Sequence, residues 1–555
     1  MTDAARGGAR TLAPARPARR WLAAAARVAG EQRAGRDVAV PGPDVRRGGP
    51  PRPEVVVVVA SDRLADLLEP EWAQRRAAAQ DATVLGTHLS GADALVLEWS
   101  GGPGSAHDVT ADEAAAVLAA ARALRVPALV WDTVRAAGDR PLAPAGATVV
   151  GADDAARVAA YGARGDATVE LGSTFSARRD GARVRLRPGA AHRHEGAQAE
   201  ADAALVAALD AHHAARPRPS DGRTWRATVL TGDASRDVVT PGLLRSAAAG
   251  SVVVTTSAAV AGRVPGVLAV DGADDARWTL AALDRHAELR DRHAHRARRA
   301  ALAGWSATVR AGQLLDAAGL GATTVPSVSA VVATMRPDRL DDVLDAIARQ
   351  RHPAVELVLV THGFEVGRED LAARAAARGL EHVRAVAADA SLTLGACMNL
   401  GVDAADGTYV AKMDDDNYYG QHYLADLVAT FGCTAAQVVG KWAHLTYLES
   451  TRAALLRFPA VEHRYTRLVQ GGTIVVEREL ARAVRFEDLP RRVDTTFLDK
   501  VRDRGGRVYA ADRFGFVSVR TARTAEHTWR VTDAELLAKP SRLLFYGEPW
   551  EYADV

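Results

Sequence analysis

Tyr409-Val410-Ala411-Lys412-Met413-Asp414-Asp415-Asp416-Asn417-Tyr418-Tyr419 is an apolar, β-prone run that ends abruptly in three consecutive carboxylates. Adjacent like charges resist joint ionisation, so such a triplet is costly unless something cationic sits among it. A divalent ion with hard oxygen ligands meets that need, and it commonly keeps substrate phosphates as its remaining ligands. A solvated acidic turn is the bland alternative. The strand-like run before the triplet and the Asn-Tyr-Tyr after it favour the ion and phosphate.

Around this run, strand and helix patterns alternate. Residues 328–334, 355–360 and 382–386 read as strands, and 337–350 and 368–378 as helices. Pro337 suits a first helical turn, where its missing N–H is no loss. Gly319-Leu320-Gly321-Ala322-Thr323-Thr324-Val325-Pro326 punctuates the chain and marks the main domain boundary. Upstream, Glu54-Val55-Val56-Val57-Val58-Val59 begins a second series. A short, continuous valine run predicts a strand buried on both faces, as in a parallel sheet. Similar runs recur at 94–99, 127–131, 147–151, 251–256 and 266–270, separated by Ala-rich helical stretches such as 110–124 and 277–301. This alternation is the pattern of α/β doubly wound sheets.

The 555 residues allow more than one domain, and 48% hydrophobic with 25% charged residues is ordinary for a soluble globular chain. A net charge of +2 gives no electrostatic case for nucleic acid. Residues 1–53, rich in Arg, Ala, Gly and Pro, are expected to be a disordered basic tail, with peripheral membrane contact as a minor alternative. Arg19-Arg20 precedes a short alanine run that Arg27 interrupts, so no signal sequence is expected, and no apolar run is long enough to span a bilayer. Cys397 and Cys433 lack metal or disulfide-framework spacing and read as reduced thiols of a cytoplasmic protein.

From Pro326 onward the chain resembles glycosyltransferase family 2, the GT-A fold of inverting enzymes. The likeness rests on Ala333-Thr334-Met335-Arg336-Pro337, on Gly395-Ala396-Cys397-Met398-Asn399-Leu400-Gly401, on Met413-Asp414-Asp415-Asp416, on Gln470-Gly471-Gly472-Thr473, on Val493-Asp494-Thr495-Thr496-Phe497 and on His527-Thr528-Trp529, six landmarks in the family's order. Asp414 and Asp416 resemble its DxD pair, which implies a Mn2+ or Mg2+ ion bridging protein and donor diphosphate. Asp416 is the first choice for the direct ligand. Asp414 is left to the ribose or to the metal through water, and His527 resembles the late histidine that completes the metal shell. Asp415 is grouped with the donor-binding residues, although neighbours on a strand face opposite sides and it is also free to point away. Thr334 and Arg336, at the carboxyl edge of the first strand, are candidates for the donor phosphates; a solvated helix-start charge is the other reading of Arg336. Asn399 joins the donor-binding candidates, with a turn role as its alternative. Gly395 and Gly401 either approach the nucleotide or cap a short helix.

Asp494 resembles the general base that takes the proton of the attacking hydroxyl, and it is equally placed as the N-cap of the helix that follows. Glu487 and Asp488 compete for the base role. Family members commonly end the second strand with aspartates that read the nucleotide base. Here Val360 runs into Thr361-His362-Gly363-Phe364 instead, so a UDP-sugar is expected with GDP and dTDP left open.

Residues 54–320 resemble diverged GT-B glycosyltransferases of the CgeB-like type, through 92–99, 126–132 and 240–255. Two lobes split near 147 are expected. Arg245 stands near the place of that family's ribose-binding glutamate, which points to an acceptor-binding, scaffolding or dimerising module. Gly101-Gly102-Pro103-Gly104 lacks the Lys-Ser/Thr of a phosphate-binding loop and reads as a flexible loop.

The expected fold class is therefore α/β, an N-terminal GT-B-like pair of Rossmann-type lobes followed at 326–555 by a GT-A Rossmann-like domain with a mixed sheet. The expected function is metal-dependent, inverting transfer of a sugar from a nucleotide donor to a hydroxyl of a glycan or lipid-linked acceptor for the cell envelope. The alternatives are a non-catalytic glycan-binding scaffold built from decayed transferase folds, and a sugar nucleotidyltransferase. The absence of glycine from Ala333-Thr334-Met335-Arg336-Pro337 counts against the last.

Overall fold

A computed structural model describes residues 52, 54–101, 109–134, 140–180, 192–195, 227–230, 239–321, 325–489, 492–522, 531–538 and 541–555. The expected tail apart from Arg52, the loop residues Gly102-Pro103-Gly104, and His527 with Trp529 lie outside the described residues.

The valine run forms strand β1 (Val55–Val59). Its alternate side chains enter two different cores, Val57 and Val59 on one face and Val56 and Val58 on the other. It is followed by β2 (Ala73–Arg76), β3 (Ala94–Trp99), β4 (Ala128–Asp132), β5 (Val149–Ala152) and β6 (Thr168–Glu170) in one parallel sheet of order β2-β1-β3-β4-β5-β6. A second parallel sheet, β10-β9-β8-β7, contains β7 (His192–Glu195), β8 (Ala227–Leu230), β9 (Val252–Thr255) and β10 (Leu268–Ala269). The expected split near 147 is corrected: β5 pairs onto β4 and β6 onto β5, so the first sheet runs on to Glu170. The expected helix at 110–124 forms as Ala111–Ala123, closed by a reciprocal capping box of Thr110 and Glu113. The helical stretch expected at 277–301 is broken at His286, whose backbone leaves the helical region, into helices Gly272–Arg285 and Ala287–Trp305. The next helix, Ala307–Ala317, returns to the first sheet and buries Ala311, Leu314 and Leu315 against Val56, Val58 and Leu129. Arg245 is exposed on the helix Pro241–Ala248.

The C-terminal half is built on a mixed sheet of eight strands in the order β13-β12-β11-β14-β20-β16-β21-β19. These are β11 (Val328–Thr334), β12 (Val355–His362), β13 (Val383–Ala388), β14 (Tyr409–Met413), β16 (Val438–Gly440), β19 (Arg464–Thr466), β20 (Val475–Glu477) and β21 (Val508–Ala510). A second sheet, β15-β22-β17-β18-β23, joins β15 (Tyr418–Tyr419), β17 (His444–Leu448), β18 (Ala453–Arg457), β22 (Phe516–Arg520) and β23 (Ser541–Tyr546). Strands β11, β12, β13 and β14 run parallel, with β12 and β13 on one side of β11 and β14 on the other. The chain thus reverses its winding direction between β11 and β14. In open α/β sheets the crevice outside the carboxyl ends at such a reversal is where ligands bind. Thr334 and the Asp414–Asp416 triplet both lie there.

Gly395 and Gly401 sit inside the helix Leu394–Ala404 and cap neither end. A Cβ on Gly401 would stand 2.2 Å from Val331 Cγ1 on β11, and one on Gly395 would stand 1.9 Å from the Glu487 carbonyl. Both glycines serve close packing of the helix, with the sheet on one side and the loop before Asp494 on the other.

The two halves meet through buried charge. Helix Ala287–Trp305 presents Glu288 and Asp291 to the fully buried Arg513, which also bonds Glu462. One turn on, His295 lies 3.1 Å from Asp426 and 4.0 Å from Asp512, and Arg299 bonds Asp426 at 2.7 Å. Lys441 Nζ lies 2.9 Å from Asp512. His295, Asp426 and Asp512 offer ligand atoms within 4.8 Å of one another. Arg299 and Lys441 already match the two carboxylates, which leaves no charge for a dication, so we read the cluster as an ionic joint. Burial alone would raise both carboxyls. The pull of His295 and Arg299 on Asp426, and of Lys441 and His295 on Asp512, outweighs it and holds both well below the ordinary carboxylate range.

Arg513→Met should therefore lower the thermal unfolding midpoint, since removing one partner from a buried ionic cluster costs about 3–5 kcal/mol. Arg374→Ala, which breaks only exposed pairs to Asp341 and Asp370, should leave it nearly unchanged. Because the two junction carboxyls have depressed folded-state pKa values, their contribution is complete above about pH 4 and is lost as pH falls through those lower values. Scanning calorimetry across pH should show the midpoint falling on the acid side.

Candidate active site

Each element delivers one part of the site to the carboxyl edge of β11 and β14. Thr334, buried at the end of β11, donates its hydroxyl to Asp415 Oδ2 at 2.5 Å and accepts from the Arg336 backbone N–H at 3.0 Å. Arg336 donates its Nε to Asp415 Oδ2 at 3.0 Å, bonds Asp415 Oδ1 through Nη2, and reaches Asp416 Oδ2 at 3.1 Å. Asp415 therefore does not turn out to solvent. Its side chain is 7% exposed and it ties the triplet to β11. Arg336 is held by carboxylates, not left as a solvated helix-start charge.

Asp414 faces the other way. Its Oδ1 accepts from Lys412 Nζ at 2.7 Å and its Oδ2 from Asn417 Nδ2 at 3.1 Å, while its backbone N–H donates to the Tyr419 hydroxyl. That hydroxyl in turn donates to the Gly472 carbonyl at 2.9 Å. Asp416 lies between the two arms. Burial, and then the charge of Asp414, push its pKa upward against the relief given by Arg336. A neighbouring carboxylate disfavours the charged form of this carboxyl.

Asp494 comes to the same place from the helix Val493–Asp503. The N-cap of that helix is Arg492, at φ +64°, with no side-chain cap bond, so Asp494 sits in the first turn and its expected capping role is corrected. Asp494 Oδ1 lies 3.6 Å from Lys412 Nζ, beyond hydrogen-bond length, and has no hydrogen-bond partner. Burial raises its pKa, partly offset by Lys412 and reinforced by Asp414. Its side chain keeps 31% of its surface open, although Oδ1 itself is buried.

The 3-10 turn Gly471–Thr473 presses on both carboxylates. A Cβ on Gly471 would stand 2.0 Å from Asp494 Oδ2, and one on Gly472 would stand 2.2 Å from Asp414 Oδ2. Any side chain at either position displaces a site carboxylate. Four carboxylates (Asp414, Asp415, Asp416, Asp494) are ion-paired with two cations, Arg336 and Lys412, and Arg520 also acts on Asp416 through its charge.

Other expected site residues fall elsewhere. Asn399 is corrected: its Nδ2 donates to the Phe486 carbonyl and its Oδ1 accepts from the Phe486 N–H, both at 2.9 Å. Phe486 then stacks on Phe497 at 4.2 Å, so Asn399 braces the helix of Asp494 and does not reach the carboxylate cluster. Glu487 lies 3.8 Å from Lys500, and Asp488 accepts from the Thr393 hydroxyl, which takes both competitors out of the cluster. His527 is outside the described residues. Lys412, Asn417, Tyr419 and the Gly471-Gly472 contacts were not assigned from sequence. Only Lys412 gave a signal, as an ionisable residue within an apolar strand.

Residues 329–490 match the family model "Glycosyl transferase family 2". No curated protein matches the chain. Among solved structures, the chain is similar to the mannosyltransferase PcManGT from Pyrobaculum calidifontis, in complex with GDP-Man and Mn2+, at 18% identity and TM-score 0.29 over 36% of this chain and 58% of that one. It is also similar to TarS residues 1–349 from S. aureus, in complex with UDP-GlcNAc, at 18% identity and TM-score 0.28 over 35% of this chain and 59% of that one. The chain spans less than two thirds of either structure.

Asn399→Ala should leave the Phe486 N–H and carbonyl without partners and destabilise the fold by about 1–3 kcal/mol. Hydrogen exchange should report lost protection around Phe486, with nucleotide affinity little changed.

Proposed function

We propose that this protein is a metal-dependent, inverting glycosyltransferase that moves a sugar from a nucleotide donor to a hydroxyl of a glycan or lipid-linked acceptor of the cell envelope. The observation that supports it is the set of four carboxylates, Asp414, Asp415, Asp416 and Asp494, ion-paired with two cations at the winding reversal of a domain that matches the family 2 model. The donor set is all carboxylate oxygen, which suits Mg2+ or Mn2+. Asp416 and Asp414 would hold the ion. When bound, it supplies positive charge for the departing diphosphate.

The chain's own residues account for the rest. Thr334 and Arg336 hold Asp415 against β11, which leaves Asp416 facing Asp414. Asp494, with a raised pKa and a side chain that is partly open, accepts the proton of the acceptor hydroxyl. As that O–H bond breaks, the hydroxyl oxygen bonds the anomeric carbon. The carbon–oxygen bond to phosphate breaks, and its electron pair leaves with the nucleoside diphosphate. Attack opposite the leaving group inverts the anomeric centre. A UDP-sugar is our first choice of donor. We assign the reaction to the cytoplasm, since the buried thiols Cys397 and Cys433 suit a reducing compartment, and any membrane contact to the periphery. The N-terminal sheets we assign to a GT-B-like module for acceptor binding or scaffolding.

A donor screen with Mn2+ should find a nucleotide sugar that is turned over, and chelation should abolish turnover. Asp494→Asn should lower kcat by about 100- to 10,000-fold with the fold retained, and Asp416→Asn should remove Mn2+-dependent nucleotide binding in calorimetry. Because the base acts ionised and its pKa is raised, the rate should climb with pH through an inflection above the ordinary aspartate value of about 4. Calorimetry showing no Mn2+-dependent UDP, GDP or dTDP binding by the wild type would return the protein to a scaffold.

A further inference from the structure

Lys412 has no role in the transfer described above, yet it sits at its centre. On β14 it shares a face with Val410, which packs in a core with Cys397, Met398, Val402, Val493 and Phe497, while Ala411 and Met413 serve the opposite core. An apolar residue is the ordinary choice there, and the lysine is 3% exposed. A buried ammonium is costly unless paired. Its pairs are the two carboxylates that the transfer uses differently, Asp414 Oδ1 at 2.7 Å and Asp494 Oδ1 at 3.6 Å. The opposite oxygen of each carboxylate is backed by glycine, Asp494 Oδ2 by Gly471 and Asp414 Oδ2 by Gly472. Each carboxylate is thus gripped between one shared ammonium and one turn of backbone.

Resting on the transferase reading, we propose that Lys412 is a positioning residue that sets the spacing of the donor-side carboxylate Asp414 and the base Asp494. Asp414 is on the loop after β14, and Asp494 is on a helix whose first residue lies 79 positions after that loop's first aspartate in the sequence. No other described cation touches both. The ammonium therefore couples the half of the site that holds the nucleotide to the half that activates the acceptor, and a base displaced by about 1 Å loses about 100-fold in rate. Lys412 stabilises Asp494 in place without touching the reacting atoms.

The test compares Lys412→Met, which keeps the apolar stem, and Lys412→Arg, which keeps the charge, with wild type. Three measurements are read: unfolding midpoint, calorimetric Mn2+–UDP affinity, and kcat with KM for the donor that the wild type turns over. For Lys412→Met we expect kcat to fall about 100-fold. Mn2+–UDP affinity should hold or tighten, because a competing positive charge is gone, and donor KM should change little. Lys412→Arg should fold like wild type and recover at least about a tenth of the lost rate. In an Asp494→Asn background, adding Lys412→Met should lower kcat by less than about threefold, since the positioned group is already absent. Wild-type kcat in Lys412→Met overturns the proposal. So does a fall in kcat matched by equal loss of Mn2+–UDP affinity, or failure of Lys412→Met to fold joined to wild-type kcat in Lys412→Arg with no change in KM. A wild type that shows no Mn2+-dependent binding of UDP, GDP or dTDP overturns the transferase reading, and this proposal with it.

Discussion

Like-charge crowding at the carboxyl edge of β14 is the constraint around which the C-terminal half is arranged. Three aspartates leave one strand in succession and a fourth arrives from a helix. Such crowding is costly unless cations sit among the carboxylates. Arg336 comes from the end of β11 and Lys412 from within β14 itself, and both are engaged with more than one carboxylate. In the function we propose, a bound dication would offset those carboxylates where a nucleotide's phosphates arrive.

Packing puts those charges where chemistry can use them. The reversal of winding between β11 and β14 opens the crevice. Gly401 lets the helix Leu394–Ala404 lie close on β11, and the Gly471-Gly472 turn closes on Asp494 and Asp414 from the far side. Asn399, two residues before Gly401, holds Phe486, and Phe486 stacks on the helix that bears Asp494. The acceptor side of the site is therefore fixed by the same helix that supports the sheet. The N-terminal half is joined to this domain through a separate set of buried charges, centred on Arg513 and on the pairs of Asp426 and Asp512. Around Asp426 and Asp512 the carboxylates pair one for one with Arg299 and Lys441, whereas Arg513 gathers three carboxylates.

Much of this was legible in the residues. The valine runs announced buried parallel strands because a strand covered on both faces needs no alternation, and β1, β3, β4, β5 and β9 form where those runs fall. The aspartate triplet announced a charge problem because three carboxylates in a row are close whatever the fold. Less legible were features that depend on which surfaces meet. Asn399 fits a nucleotide site by pattern, yet its amide is occupied by Phe486, 87 residues away. Asp494 reads as a helix cap, but Arg492 begins the helix and leaves Asp494 free to face the cluster. The lobe boundary near 147 failed because β5 and β6 look the same in sequence whichever sheet receives them.

By itself the sequence determined the alternation of strands and helices, the division between two halves, and the acidic end of β14, since each depends on residues within a few positions of one another. Tertiary structure alone decided that Lys412 stands between Asp414 and Asp494 and that two glycines press on those same carboxylates. Those are properties of distances between remote segments, and a buried charge acquires its meaning only from whatever the fold sets within a few ångströms of it.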